Sequence, residues 1–150
     1  MWFWNGMASD VRAVTGYLFS RGRDKAEGAP GAHLSIGGTH KKESKGKMMF
    51  FNGNAQGDVL VGKTEIRPQT WNHVVLVRRG KEVSVYLNGN TKPDMAGQAG
   101  VVPGERVQQV FVGGRNDNFA NFEGKIDEVA VYGRAMNGDE VAAHYAASRR

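Results

Sequence analysis

Cysteine is absent from all 150 residues. Thiol nucleophiles, zinc–thiolate sites and disulfide staples are excluded together, whereas the compartment stays open, because exported bacterial domains without cysteine are common. Proline is scarce, at 4 residues, and no internal repeat or low-complexity linker divides the chain. No apolar run approaches the ~18 residues that a membrane-spanning helix needs. Met1 is followed directly by Trp2, Phe3 and Trp4, with neither the basic region nor the extended apolar region of a signal peptide. The chain is therefore either cytoplasmic or part of a longer exported protein. Acidic residues are the minority charge, 15 against 20 basic, for a net charge of +5. The excess gathers at Lys41, Lys42, Lys45 and Lys47 and at Arg149 and Arg150. A balance of this size is first a solubility property and reads as a solvated loop and tail.

What the chain has in plenty is glycine, 21 residues, placed without a three-residue period, so it marks turns rather than a collagen helix. Between the turns the pattern alternates with period two. Trp71, His73, Val75 and Val77 lie on one face of a strand and Val74 and Leu76 on the other, and residues 79–81 turn it into a second strand, residues 82–88. Further strands are expected at 16–21, 33–37, 47–52, 58–61, 107–113 and 125–132, with residues 2–4 ending another. Segments 21–32 and 90–103 read as long surface loops. Only the end is helical: Asn137 is placed to cap, Glu140 completes a capping box, and Val141, His144 and Tyr145 share a face. Short strands at regular spacing, then one helix, predict a single all-β domain over residues 1–150, an antiparallel sandwich.

Several blocks carry a resemblance. Trp71-Asn-His-Val-Val-Leu-Val-Arg78, Val85-Tyr-Leu-Asn-Gly89, Val112-Gly-Gly-Arg115 and Phe122-Glu-Gly-Lys-Ile-Asp-Glu-Val-Ala-Val-Tyr132 follow one another in order, and Gly133-Arg-Ala-Met-Asn-Gly-Asp-Glu140 leads into the capped helix. With Gly16-Tyr-Leu-Phe-Ser-Arg21 upstream, the chain resembles the laminin-G-like domains of the concanavalin A-like lectin/glucanase superfamily. The resemblance implies a jelly-roll sandwich of two antiparallel sheets. It also implies one or more strands before residues 2–4, so the domain is expected to be truncated at its N-terminus. In such folds the opening strand pairs near the last one, here 126–132, and its loss would bare an apolar strip.

The superfamily includes glycoside hydrolases, which need two carboxyls facing one cleft. No Glu-x-Asp-x-Glu run exists, and Asp127 and Glu128 are sequential, so on a regular strand they point to opposite faces. The resemblance offers Asp127 as a calcium ligand, although Ca²⁺ takes about six to eight oxygens; otherwise it bonds a nearby loop backbone or an arginine such as Arg134. Asn116, Asp117 and Asn118, reached through Arg115, form a loop dense in oxygens that either binds sugar hydroxyls or a metal, or merely forms turns. Phe119 and Phe122 flank it as a stacking platform or as rim core. None of His33, His40, His73 and His144 forms a zinc-spaced set, and His73 reads as a satisfied inner-face residue. Lys41–Lys47 beside Met48, Met49, Phe50 and Phe51 has the ingredients of a nucleic-acid surface, yet the alternation of those four residues describes a buried strand behind a charged hairpin tip. The expectation is a non-enzymatic module recognising glycan or protein through Arg115, Asn116, Asp117, Asn118 and Phe119, within a larger extracellular or periplasmic protein. The competing reading is an assembly domain packed on its neighbours; a glycosidase relative comes third.

Overall fold

The computed structural model describes residues 1–100 and 109–148. Among the described residues, ten strands form two five-stranded antiparallel sheets: β1 Trp2–Asn5, β2 Val14–Gly22, β3 Gly31–Gly37, β4 Lys47–Phe51, β5 Val59–Glu65, β6 Trp71–Arg79, β7 Glu82–Leu87, β8 Met95–Gln98, β9 Gln109–Val112 and β10 Gly124–Asp127. One sheet has the order β10-β1-β6-β7-β8 and the other β5-β4-β3-β2-β9. The one α-helix among the described residues, α1, runs Gly138–Ser148. The expected jelly-roll sandwich with one C-terminal helix is present.

Period two explains the core. From β1, Phe3; from β4, Met48 and Phe50; from β6, Val74; from β7, Val83, Val85 and Leu87 all turn inward against Leu18, Leu34 and Ile36 of the facing sheet. The strand after the lysine-rich segment is therefore buried, as expected, and Lys42–Ser44 forms a short 3₁₀ turn at its charged tip. Burial of such side chains contributes ~1.5–3 kcal/mol each.

Four expectations need correction. His73 does not face the core: it lies on the outer face of its sheet, stacked between Trp2 and Tyr145 at ring separations of 5.2 and 5.7 Å. The alternation fixed which residues share a face but not which face the helix would cover. The 90–103 segment, of which residues 101–103 lie outside the described residues, contains strand β8, which pairs with β7 and has Met95 buried. It was hidden because Met-Ala-Gly-Gln lacks β-branched residues; Gly97 lets the Leu60 side chain pack close against this strand. The loop expected at 21–32 is shorter, residues 23–30 between β2 and β3: Arg23, Asp24, Lys25 and Glu27 are exposed, while Ala26 and Ala29 turn inward and the Ala29 carbonyl bonds His33. The last strand stops at Asp127, because Glu128 takes φ +50° and leaves the ladder. Strand β1 lies between β6 and β10. Of the strand expected at 107–113, residues 107 and 108 lie outside the described residues.

Helix α1 begins as its sequence prescribes. The Glu140 amide donates to Asn137 Oδ1 at 2.9 Å, and the Asn137 amide to Glu140 Oε2 at 2.9 Å. This reciprocal box satisfies amides that a helix start leaves open. The helix packs outside β1 and β6: Val141 is buried, Tyr145 stacks on Trp2 at 5.4 Å, and the Trp2 indole N–H donates to Ser148 Oγ.

Candidate recognition site on the rim loop

Strand β9 ends in Gly113 at φ +77°, a conformation that suits glycine. The chain then loops out and returns where the Phe122 amide donates to the Gly113 carbonyl at 2.9 Å. This loop carries all five residues expected to contact a ligand, and the structure gives them different roles.

Arg115 is the organiser. Its Nε and Nη2 donate to the two Asp117 oxygens at 2.7 and 2.8 Å, a bidentate pair, and its Nη1 donates to the Tyr17 hydroxyl at 3.0 Å. The guanidinium also lies 5.0 Å from the Tyr17 ring centre, 5.9 Å from Phe51 and 4.5 Å from Phe119. A planar cation that forks a carboxylate and stacks on rings has few conformations left. Burial pushes the Asp117 carboxyl upward, but the Arg115 guanidinium overrides this and holds it below the usual range.

Asn116 faces inward. It is buried, its Nδ2 donates to the Arg23 carbonyl at 2.7 Å, and its amide donates to Ser20 Oγ at 3.2 Å. Its Oδ1 has no hydrogen-bond partner among the described residues. Asn118, at φ +63°, accepts on Oδ1 from Asn121 at 2.8 Å, so it holds the turn. Phe119 is the outward member, 46% exposed with Arg115 behind it. Phe122 instead packs against the core, edge-on to Phe3.

Beneath the loop lies a layer that the sequence did not single out. Ser20 Oγ and His33 Nδ1 are 2.6 Å apart, and His33 Nε2 is 2.8 Å from the Ala29 carbonyl. A carbonyl only accepts, so the proton is on Nε2 and the serine hydroxyl donates to Nδ1. Serine and histidine in contact evoke a nucleophile and its base, but both are wholly buried and Ser20 Oγ already accepts from Asn116. Burial holds His33 down at about 4, hence neutral. The pair is structural. No motif announced it, because its members come from β2, β3 and the rim loop.

The carboxyls are equally committed. The Gly100 amide and Asn52 hold Asp58 below its usual range. Asp94 accepts from the Lys63 and Thr64 amides. Arg134, with the Asn137 amide, holds Glu140 low. A glycosidic general acid needs the opposite shift, upward. Asp127 Oδ1 accepts the Glu128 amide at 2.8 Å, and no group of three or more acidic or histidine side chains able to hold a metal gathers among the described residues. One carboxylate, half engaged, does not fit a calcium site of about six to eight oxygens.

Against this geometry the comparisons fall into place. The laminin-G model of the concanavalin A-like lectin/glucanases superfamily matches residues 3–142. A native heptameric SAP-like pentraxin from Limulus polyphemus shares 17% identity at a TM-score of 0.62, over 94% of this chain and 65% of that one. An S-layer domain-containing protein from Clostridium thermocellum shares 17% identity at a TM-score of 0.42, over 93% of this chain and 68% of that one. The chain thus spans slightly under two thirds of the pentraxin's length. No curated protein matches it. Sheet order, inward-facing residues and family match agree: the chain belongs to the laminin-G-like domains of the concanavalin A-like lectin/glucanase superfamily.

Proposed function

We propose that this domain is a non-catalytic recognition module that binds glycan at the 115–119 rim loop, within a larger exported protein. The observation that carries this reading is Phe119: a large ring left 46% exposed while its back is fixed by the Arg115 guanidinium. An aromatic face held in place loses little entropy when a sugar ring stacks on it. The Asp117 carboxylate beside it keeps lone pairs for hydroxyl donors, and its negative charge is secured by Arg115. Affinity is expected to be modest, since each bond made exchanges water for protein and nets about 1 kcal/mol. The commitment of Asp58, Asp94, Asp117 and Glu140 to local partners supports recognition without bond cleavage.

Phe119→Ala is the informative substitution, because Phe119 packs outside the core, whereas altering buried Asn116 would disturb the fold. On a glycan array the parent protein is expected to bind a defined set of structures, and Phe119→Ala to lose them by about tenfold or more in affinity with its melting temperature unchanged. Equal binding by both proteins would remove the rim loop from the account.

A further inference from the structure

Four Asn-Gly pairs punctuate the chain: Asn5-Gly6, Asn52-Gly53, Asn88-Gly89 and Asn137-Gly138. A backbone amide that follows an asparagine can displace the side-chain amide, and glycine, with no Cβ to screen its nitrogen, allows this most readily. What the fold does with three groups decides the outcome: the glycine N–H that attacks, the asparagine carbonyl that is attacked, and the Nδ2 that leaves.

Three of the pairs are closed. Asn5 is buried, its Nδ2 donates to the Met7 carbonyl at 2.7 Å, and the Gly6 amide is committed to the Glu123 carbonyl at 3.0 Å. Asn52 is buried, with Nδ2 donating to Asp58 Oδ2 at 2.9 Å and Oδ1 accepting from the Asp58 amide at 3.1 Å. Asn88 is exposed, yet its side chain is pinned to β6 at both ends. Its Oδ1 accepts from the His73 amide at 2.8 Å, and its Nδ2 donates to Asn72 Oδ1 at 3.1 Å.

Asn137 differs. It is exposed, and among the described residues neither its Nδ2 nor the Gly138 amide has a hydrogen-bond partner. Its Oδ1 accepts from the Glu140 amide at 2.9 Å. That bond folds the side chain over the first turn of α1 and draws electron density from Cγ, the atom to be attacked, as a donor in an oxyanion hole does. Gly138 is fixed by packing, because a Cβ there would collide with the Thr91 carbonyl. The leaving group is free and the electrophile polarised.

We propose that Asn137-Gly138 is a site of spontaneous deamidation and isomerisation, and that its isoaspartyl product unfastens the start of α1. The Gly138 nitrogen gives its proton to hydroxide and bonds to Cγ. The Cγ–Nδ2 bond breaks and ammonia leaves, closing a five-membered succinimide. Water then opens the ring at one or the other carbonyl. One opening gives aspartate, whose carboxylate still caps the helix and suits its N-terminus. The other gives isoaspartate, in which the main chain runs through Cγ with one carbon more. The capping oxygen, and the residue 137 carbonyl that accepts the Val141 amide at 3.1 Å, then no longer sit where the first turn needs them. Because Val141 is buried and Tyr145 stacks on Trp2, the change loosens the cover over β1 and β6. The proposal stands independently of the rim loop.

The four pairs fall on four separate tryptic peptides. Folded protein and protein unfolded in guanidinium chloride are aged side by side at mildly alkaline pH. Each peptide is then fragmented and scored for the mass gain of deamidation and for isoaspartate. In the unfolded chain all four pairs are expected to react at similar rates. In the folded chain Asn137 is expected to keep a rate of the same order, while the other three slow by about tenfold or more. The isoaspartyl fraction of the aged parent is expected to show a lowered urea midpoint, and Asn137→Asp aged in the same way to keep that of fresh protein. Faster folded-state reaction at another pair, or slowing of Asn137 to match the other three, would overturn the site. An unchanged midpoint in the isoaspartyl fraction would overturn its effect on α1.

Discussion

Two buried imidazoles make this protein's stability depend on pH. Burial lowers His33 to about 4, and burial, the nearby amino terminus and His144 lower His73 to about 4 as well. In the unfolded chain both titrate near ~6.5. Between ~6.5 and about 4 the unfolded state therefore binds protons that the folded state refuses, and stability falls as pH is lowered through that window. Each histidine contributes a slope of about 1.4 kcal/mol per pH unit. His73→Phe keeps an aromatic between Trp2 and Tyr145, where His73 Nδ1 has no partner to lose. Urea unfolding at pH 7 and pH 5 should show the variant losing less stability than the parent by about 1.4 kcal/mol per unit below ~6.5; equal losses would contradict a neutral buried His73. The sequence named His73 as satisfied and inward, and gave no sign of the Ser20–His33 pair. Both outcomes have one cause: a side chain's surroundings depend on which distant loop or helix closes over it.

Elements were far more legible than surroundings. Where a compact apolar run is bounded by turn residues, as in 47–51 or 71–79, the strand is where the sequence places it. Strand β8 escaped because its pairing is imposed by β7 and by the Asp94 carboxylate, which accepts from the Lys63 and Thr64 amides of β5 and so ties the edges of the two sheets. The start of the helix was legible, cap included. Asn137→Ala removes one half of the capping box and is expected to cost about 1 kcal/mol of global stability, because α1 covers Trp2 and His73 rather than fraying alone. The measurement is the urea midpoint at constant slope; no change would mean that α1 unfolds independently of the sandwich. Of the rim loop, position and composition were evident, while its division of labour was not: Asn116 turns in, Asn118 holds the turn, and Phe119 stays outside.

As a whole the molecule presents two ordered sheets and a rim loop fixed by Arg115. The family match establishes what kind of fold this is, and the ligand must be argued from the side chains this chain carries. Calcium belongs to the same argument. With Asp127 bonded to the neighbouring amide and no cluster of three metal-binding side chains among the described residues, millimolar calcium is expected to leave the melting temperature unchanged; a rise of several degrees would show a site that these residues do not reveal. The most direct test of recognition without chemistry is an NMR titration with an array-positive oligosaccharide, observing both partners. The account expects saturable shifts confined to the Phe119 ring and the Arg115 guanidinium, with the sugar spectrum recovered unchanged after prolonged incubation. Shifts elsewhere with a silent rim loop, or new reducing-end signals from a cleaved sugar, would contradict it.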